Sequence, residues 1–199
     1  MIETLLSLDT ALLIEARGLV PDSYATLIQI FGESIVIFVA VFLLVLWLYG
    51  VSKKDNAYKI AALQIFTTII LTFIVYSVVN FGIDTWRPSP QDVVWGLMPL
   101  IPHPLDNSFP SGHALFTAAF LIGAMRFFWN SWGLVGGVLF WVITALARVI
   151  WGVHYPGDII GWWVFGSIGA LVLIHLVDTW FFRVYIFSHI VRIASFFRL

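Results

Sequence analysis

Five long apolar stretches, residues 25–49, 60–81, 111–128, 132–150 and 159–177, decide what this chain can become. A bilayer core of about 30 Å asks for roughly 20 apolar residues per helix, and a backbone inside it must satisfy its own hydrogen bonds. The stretches are therefore predicted as five membrane-crossing helices, with Glu33 and Arg126 as the awkward charges within them. A chain that is 61% hydrophobic and 11% charged has too little polar surface to be an ordinary water-soluble globule. Five crossings in 199 residues leave no room for a separate soluble domain. The expectation is an all-α, polytopic helical bundle, with residues 1–199 forming a single membrane-embedded domain.

The segments around the spans refine this picture. Residues 1–20 are leucine-rich but interrupted by Glu3, Asp9 and Glu15, which reads as a helix lying in the interface rather than a crossing. The same acids, and the lack of a basic start, argue against a cleavable signal peptide. The tail from Thr179 to Leu199 mixes Trp180, Phe181, Phe182, Tyr185, Phe187, Phe196 and Phe197 with Arg183, Arg192 and Arg198, an aromatic and basic interfacial signature. A net charge of −1 with scattered basic residues gives no footprint for nucleic acid. The absence of cysteine excludes disulfides and thiolate metal sites.

Threading the spans alternately puts Lys53, Lys54, Lys59, Arg126, Arg183, Arg192 and Arg198 on one side, which should be cytoplasmic. The other side receives the N-terminus, the long connection 82–110 and the short connection 151–157. Arg17, Arg87 and Arg148 fall there against the charge rule, and two basic residues in otherwise polar-poor outer loops suggest positions kept for binding rather than for topology.

Three stretches with chemical potential converge on that outer side: Trp86-Arg87-Pro88, then Phe109-Pro110-Ser111-Gly112-His113, then Arg148 with His154 and Asp158. Arginine forks match phosphate oxygens, and a Ser-Gly pair at a helix start exposes backbone N–H groups at the positive end of the helix dipole. Pro110 and Ser111 are good helix-start residues. In His154-Tyr155-Pro156-Gly157-Asp158 the Pro-Gly pair is expected to separate the histidine from the next helix, with Asp158 where that helix begins. A carboxylate so placed can fix one imidazole tautomer and leave the other nitrogen nucleophilic. Singly, each piece has a plainer explanation: a loop, a helix cap, or a side chain reaching to headgroups. Two histidines, two arginines, a serine and an aspartate on one predicted face are harder to explain singly.

In this pattern the chain resembles the type 2 phosphatidic acid phosphatase (PAP2) superfamily, which also includes vanadium haloperoxidases. That family's signature has a lysine seven residues before Arg-Pro, then Pro-Ser-Gly-His, then Ser-Arg with His six residues after the arginine and Asp four further on. Arg87-Pro88, Pro110-Ser111-Gly112-His113, and Arg148, His154 and Asp158 match it. Two positions depart: Asn80 stands at the lysine position and Ala147 at the serine before the third-motif arginine. Asn80 can donate a hydrogen bond but carries no charge. The undecaprenyl-diphosphate phosphatases of the family are looser in the first motif, so the departure favours that branch.

The resemblance implies that His154 attacks phosphorus to give a phosphohistidine, oriented by Asp158, while His113 protonates the leaving oxygen and then activates water. It also implies that Arg87, Arg148, Ser111 and the Gly112 N–H hold the phosphoryl group, with Asn80 assisting, and that no metal or other cofactor takes part. The implied function is metal-independent hydrolysis of a lipid phosphate or diphosphate, undecaprenyl diphosphate first. The implied location is the outer face of a bacterial cytoplasmic membrane, with the bilayer and the lipid as partners. A phosphatidylglycerophosphate or phosphatidic acid phosphatase, a lipid phosphotransferase and a transporter are the rival readings. His103, His175 and His189 read as solvated or interfacial groups, and Trp95, Trp162 and Trp163 as belt or packing residues. Glu33 stands apart: an ionisable residue in an apolar run is costly unless it lies near the outer interface.

Overall fold

The computed structural model describes residues 2–82, 111–127 and 131–197. Among the described residues seven α-helices follow one another: α1 (Ile2–Gly18), α2 (Ala25–Lys53), α3 (Asn56–Gly82), α4 (Gly112–Phe127), α5 (Ser131–Ile150), α6 (Pro156–Val177) and α7 (Ser188–Phe196). A short 3-10 turn, Asp22–Tyr24, leads into α2, and a π-helical turn, Phe182–Phe187, leads into α7. The architecture is thus the expected all-α bundle, and among the described residues each apolar stretch of the sequence lies in a helix almost throughout. Three of them, α2, α3 and α6, are long and apolar enough to cross a bilayer by themselves, while α4 and α5 contain shorter apolar runs.

The helices pack through small residues, as a bundle in lipid must, because lipid tails give no hydrophobic push between helices. A methyl group on Gly166 of α6 would stand 3.0 Å from the Leu115 side chain of α4, and one on Gly123 of α4 would stand 3.2 Å from Ile65 of α3. One apolar cluster joins Ile35 and Val39 of α2, Ile65 and Ile69 of α3, Ala119 and Phe120 of α4, and Ala170 of α6. A second joins Leu13 of α1 to Ala114 and Leu115 of α4, Ala145 and Val149 of α5, and Ile159 of α6. The large side chains left exposed, among them Val41, Leu44, Phe73, Val78, Phe165 and Leu171, form the outer surface that a lipid environment would cover.

The bundle has two polar ends. At one, α2 turns into α3 across two residues: Lys54 takes a left-handed conformation (φ 54°), its N–H bonds to the Val51 carbonyl, and the Asp55 N–H bonds to the Gly50 carbonyl. The Asp55 carboxylate accepts the Ala57 N–H at 2.9 Å and so caps α3. At the same end Gln64 of α3 donates to Asp178 beyond α6 at 2.8 Å, and Arg183 lies 3.5 Å from that carboxylate. The tail expected to lie at the interface docks on this end through Phe187 and Val191, both buried. At the opposite end α1 lies across the start of α6 and the end of α5. Arg17, buried, closes α1 by donating to the Val20 carbonyl at 3.1 Å.

Candidate active site

The end of the bundle crossed by α1 collects the sequence's chemical residues, and local backbone signals explain why. Helix α5 stops because Gly152 adopts φ 78°. The Gly152 N–H bonds to the Val149 carbonyl at 2.8 Å and the Val153 N–H to the Arg148 carbonyl at 3.4 Å, the paired closure that a glycine just past a helix end makes possible. That turn leaves Arg148 in the last turn of α5 and sets His154 between α5 and α6, facing Asp158. Helix α6 restarts at Pro156, three residues earlier than the expected span. The Pro-Gly pair is therefore the first turn of the helix and not a spacer before it. Proline suits this position because its missing N–H would have had no helical partner.

Asp158 has two tasks in this turn. Its Oδ2 accepts the Tyr155 N–H at 3.0 Å, capping α6, and lies 3.7 Å from His154 Nδ1. The second separation is a charge-compatible contact, too long for a hydrogen bond. It still sets which edge of the ring faces the carboxylate, so Nε2 is the nitrogen turned away. Both groups are nearly out of solvent, with His154 1% exposed and Asp158 9%.

Helix α4 presents its N-terminus to the same end. Ser111 is fully buried; its carbonyl accepts the Leu115 N–H at 3.1 Å, and its Oγ makes a long 3.5 Å contact with the Ala114 N–H. Gly112 follows, where a Cβ would meet the Tyr76 ring of α3 at 3.3 Å, so glycine permits the close approach of the two helices. The His113 carbonyl accepts the Thr117 hydroxyl, leaving the imidazole to face α2. Asn80 is half-buried near the end of α3, one helical turn beyond Tyr76.

Two acids complete the cluster. Glu33 of α2 places one carboxylate oxygen 3.5 Å from Arg148 Nη1 and the other 3.8 Å from His113 Nε2. Arg148 also lies over the Trp151 ring, 4.8 Å from its centroid, and Trp151 is held by α2, where a Cβ on Gly32 would come within 3.1 Å of the indole. Asp9 of α1 accepts the Gly157 N–H at 2.8 Å. Burial, and secondarily the charge of Asp158, hold the Asp9 carboxyl above its ordinary value near 3.8, with the Gly157 bond acting the other way.

The structure thus brings together Ser111, Gly112, His113, Arg148, His154 and Asp158, and sets Asn80 on the helix beside them. Arg87, with Trp86, Pro88, Phe109 and Pro110, lies outside the described residues, as do Trp95, His103 and Arg198. His175 and His189 are exposed toward the other end of the bundle. Among the described residues no group of three His, Asp or Glu side chains is arranged to hold a metal. Of the two acids, Glu33 announced itself in the sequence as a charge in an apolar run, whereas Asp9 gave no signal beyond the polarity of its segment.

An all-helical membrane bundle with this Arg–His–Asp end defines a class: the chain belongs to the PAP2 superfamily, whose family model matches residues 61–182. It is accordingly a multi-pass membrane phosphatase of a class that needs no metal. Among particular proteins, it is 29% identical over 163 residues to the undecaprenyl-diphosphatase BcrC of Bacillus subtilis, covering 80% of this chain and 72% of that one. It is 35% identical to an undecaprenyl-diphosphatase of Sulfolobus acidocaldarius over 82 residues, 40% of this chain and 38% of the relative. The crystal structure of a transmembrane PAP2-type phosphatidylglycerolphosphate phosphatase from Bacillus subtilis superposes with a TM-score of 0.66 at 19% identity, covering 88% of this chain and 87% of that one. At that identity the likeness is one of fold.

Proposed function

We propose that this chain, as one membrane-embedded domain, hydrolyses an isoprenoid lipid diphosphate, undecaprenyl diphosphate first, to the lipid monophosphate and inorganic phosphate. The observation that carries the reading is the buried His154–Asp158 pair at the turn that follows Arg148. The location is the outer face of a cytoplasmic membrane. There a headgroup can enter the bundle end sideways while its tail stays in the bilayer. The names of the two sequence relatives support the choice of lipid.

In the first step Nε2 of His154 attacks the terminal phosphorus, a N–P bond forms, and the P–O bond to the lipid phosphate breaks. His113 gives its proton to the departing oxygen. Asp158, facing Nδ1, stabilises the positive charge that the ring acquires. Arg148, Arg87, Ser111 and the Gly112 N–H hold the equatorial oxygens, over which charge spreads in the transition state, and Asn80 assists. In the second step His113 takes a proton from water, the hydroxide attacks the phosphohistidine, and phosphate leaves as His154 is restored.

The test is phosphate release by detergent-solubilised protein, with EDTA present, from undecaprenyl diphosphate, phosphatidylglycerophosphate and phosphatidic acid. His154→Ala is expected to abolish release, a loss of at least about a thousandfold, and undecaprenyl diphosphate is expected to be the preferred lipid. Release that survives in the variant would sink the histidine mechanism. A preference for either glycerophospholipid would replace the substrate. Phosphate that appears only when an acceptor lipid is supplied would make the protein a phosphotransferase.

A further inference from the structure

Glu33 is a carboxylate in the middle of a site built for anions. Its two oxygens are divided between two different groups, one toward Arg148 Nη1 at 3.5 Å and one toward His113 Nε2 at 3.8 Å. These are the groups that would meet a phosphoryl oxygen and a leaving oxygen. Charge-assisted bonds to a well-seated anion run about 2.7–2.9 Å, so both contacts are loose. The Glu33 side chain is 55% exposed, whereas that of Arg148 is 5% exposed. A buried, fixed guanidinium therefore faces a carboxylate that can swing away into solvent.

The placement is fixed by the helix and is no accident of a loop. Glu33 is in the third turn of α2, a helix of 29 residues and so about 43 Å long, well beyond the roughly 30 Å of a bilayer core. The excess lets Glu33 sit at the outer boundary, where its neighbour Gly32 packs on Trp151 and so holds this turn beside Arg148. Among the described residues, the charged or titratable groups that packed elements bring to this end include Asp9 and Arg17 on α1, Tyr76 on α3, His113 on α4, Arg148 on α5, and His154, Tyr155 and Asp158 around the start of α6. Asp9 is engaged with Gly157 and Asp158 with Tyr155.

We propose that Glu33 is a built-in surrogate anion: it occupies part of the phosphate position of the empty site, is displaced by substrate, and competes with product phosphate for Arg148 and His113. This rests on the phosphatase reading above and adds to it a control on how tightly phosphate-bearing species are held. A tetrahedral phosphate offers more oxygens at shorter distance than the carboxylate does, so substrate wins. Product, with less charge and fewer contacts, is released more readily because the carboxylate returns.

The experiment is inhibition of turnover by inorganic phosphate, measured for wild type, Glu33→Gln, Glu33→Ala and Glu33→Asp. A long ion pair whose carboxylate is half exposed contributes little, so the expected change is modest: the inhibition constant for phosphate, and KM with it, should fall about two- to fivefold in the Gln and Ala variants, with kcat not raised. The Asp variant, which keeps the charge, should stay nearer wild type. A purely structural role would weaken phosphate binding or leave it alone, so an inhibition constant that is unchanged or higher in the Gln and Ala variants overturns the proposal. If wild type turns over lipid and is inhibited by phosphate while the variants match it, the surrogate anion alone fails. If wild type neither releases phosphate from lipid nor responds to it, the phosphatase reading fails and this proposal falls with it.

Discussion

Asp9 carries a proton more readily in the folded protein than in the unfolded chain, because burial and the nearby Asp158 charge disfavour its ionised form. The stability tied to its protonation is fully present below the unfolded value near 3.8 and is lost as pH rises through the higher folded value. Asp9→Asn removes the titration and keeps an oxygen to accept the Gly157 N–H. The variant is expected to melt no lower than wild type near neutral pH, and wild type should gain on it as pH falls from neutral toward the unfolded value near 3.8. Thermal unfolding in detergent across that range checks this; a gap that does not change with pH would contradict it. Asp9 also shows where residue-level reading stops. It meets Gly157 across 148 positions of chain, and nothing in its own neighbourhood of the sequence points there. Ser111, Gly112, His113, Arg148, His154 and Asp158 were legible because their types and spacing form a pattern. Glu33 was legible as a cost, but not as a contact, since its partners lie on α4 and α5.

At the scale of elements, the positions of the spans follow from the apolar runs, and their ends follow from backbone chemistry that apolarity does not report. The first span runs on to Lys53 because Lys54 can close it in a left-handed conformation, and α6 begins at Pro156 because proline fits a first helical turn. The tail was readable as aromatic and basic, but its docking through Phe187 and Val191 depends on a π-helical turn that no period announces. The turn at Gly152 joins these matters to the site, since it both ends α5 and aims His154. Gly152→Ala places a side chain at φ 78° and is expected to cost about 1–2 kcal/mol of stability. Turnover should drop by more than the lost folded fraction explains, because the strain is relieved by moving His154. Unfolding and specific activity measured on one preparation decide it; activity that falls only in step with folded protein would mean that the turn does not aim the histidine.

The whole molecule is polarised. Lys53, Lys54, Lys59 and Arg183 gather at the end tied by Gln64 and Asp178, while the candidate site occupies the other. Basic residues near span ends favour the cytoplasm, so a reporter fused after Leu199 is expected to be cytoplasmic and the site to face outward. A reporter found outside would reverse the orientation and with it the outer-face reading. The contact between Asp9 and Gly157 has a consequence in time as well as space. Helix α1 precedes the other helices, yet the Gly157 that its Asp9 meets is translated 148 residues later, on the order of seven to thirty seconds at bacterial or eukaryotic elongation rates. During that interval α1 waits beside a bundle that lacks α6, and the nascent enzyme has its histidine, its carboxylate and the Asp9–Gly157 contact only once synthesis has passed Asp158. Assembly of the site therefore waits on the turn that opens α6, and a chain stalled before Gly157 carries α1 packed on α5 but without the backbone N–H that Asp9 holds.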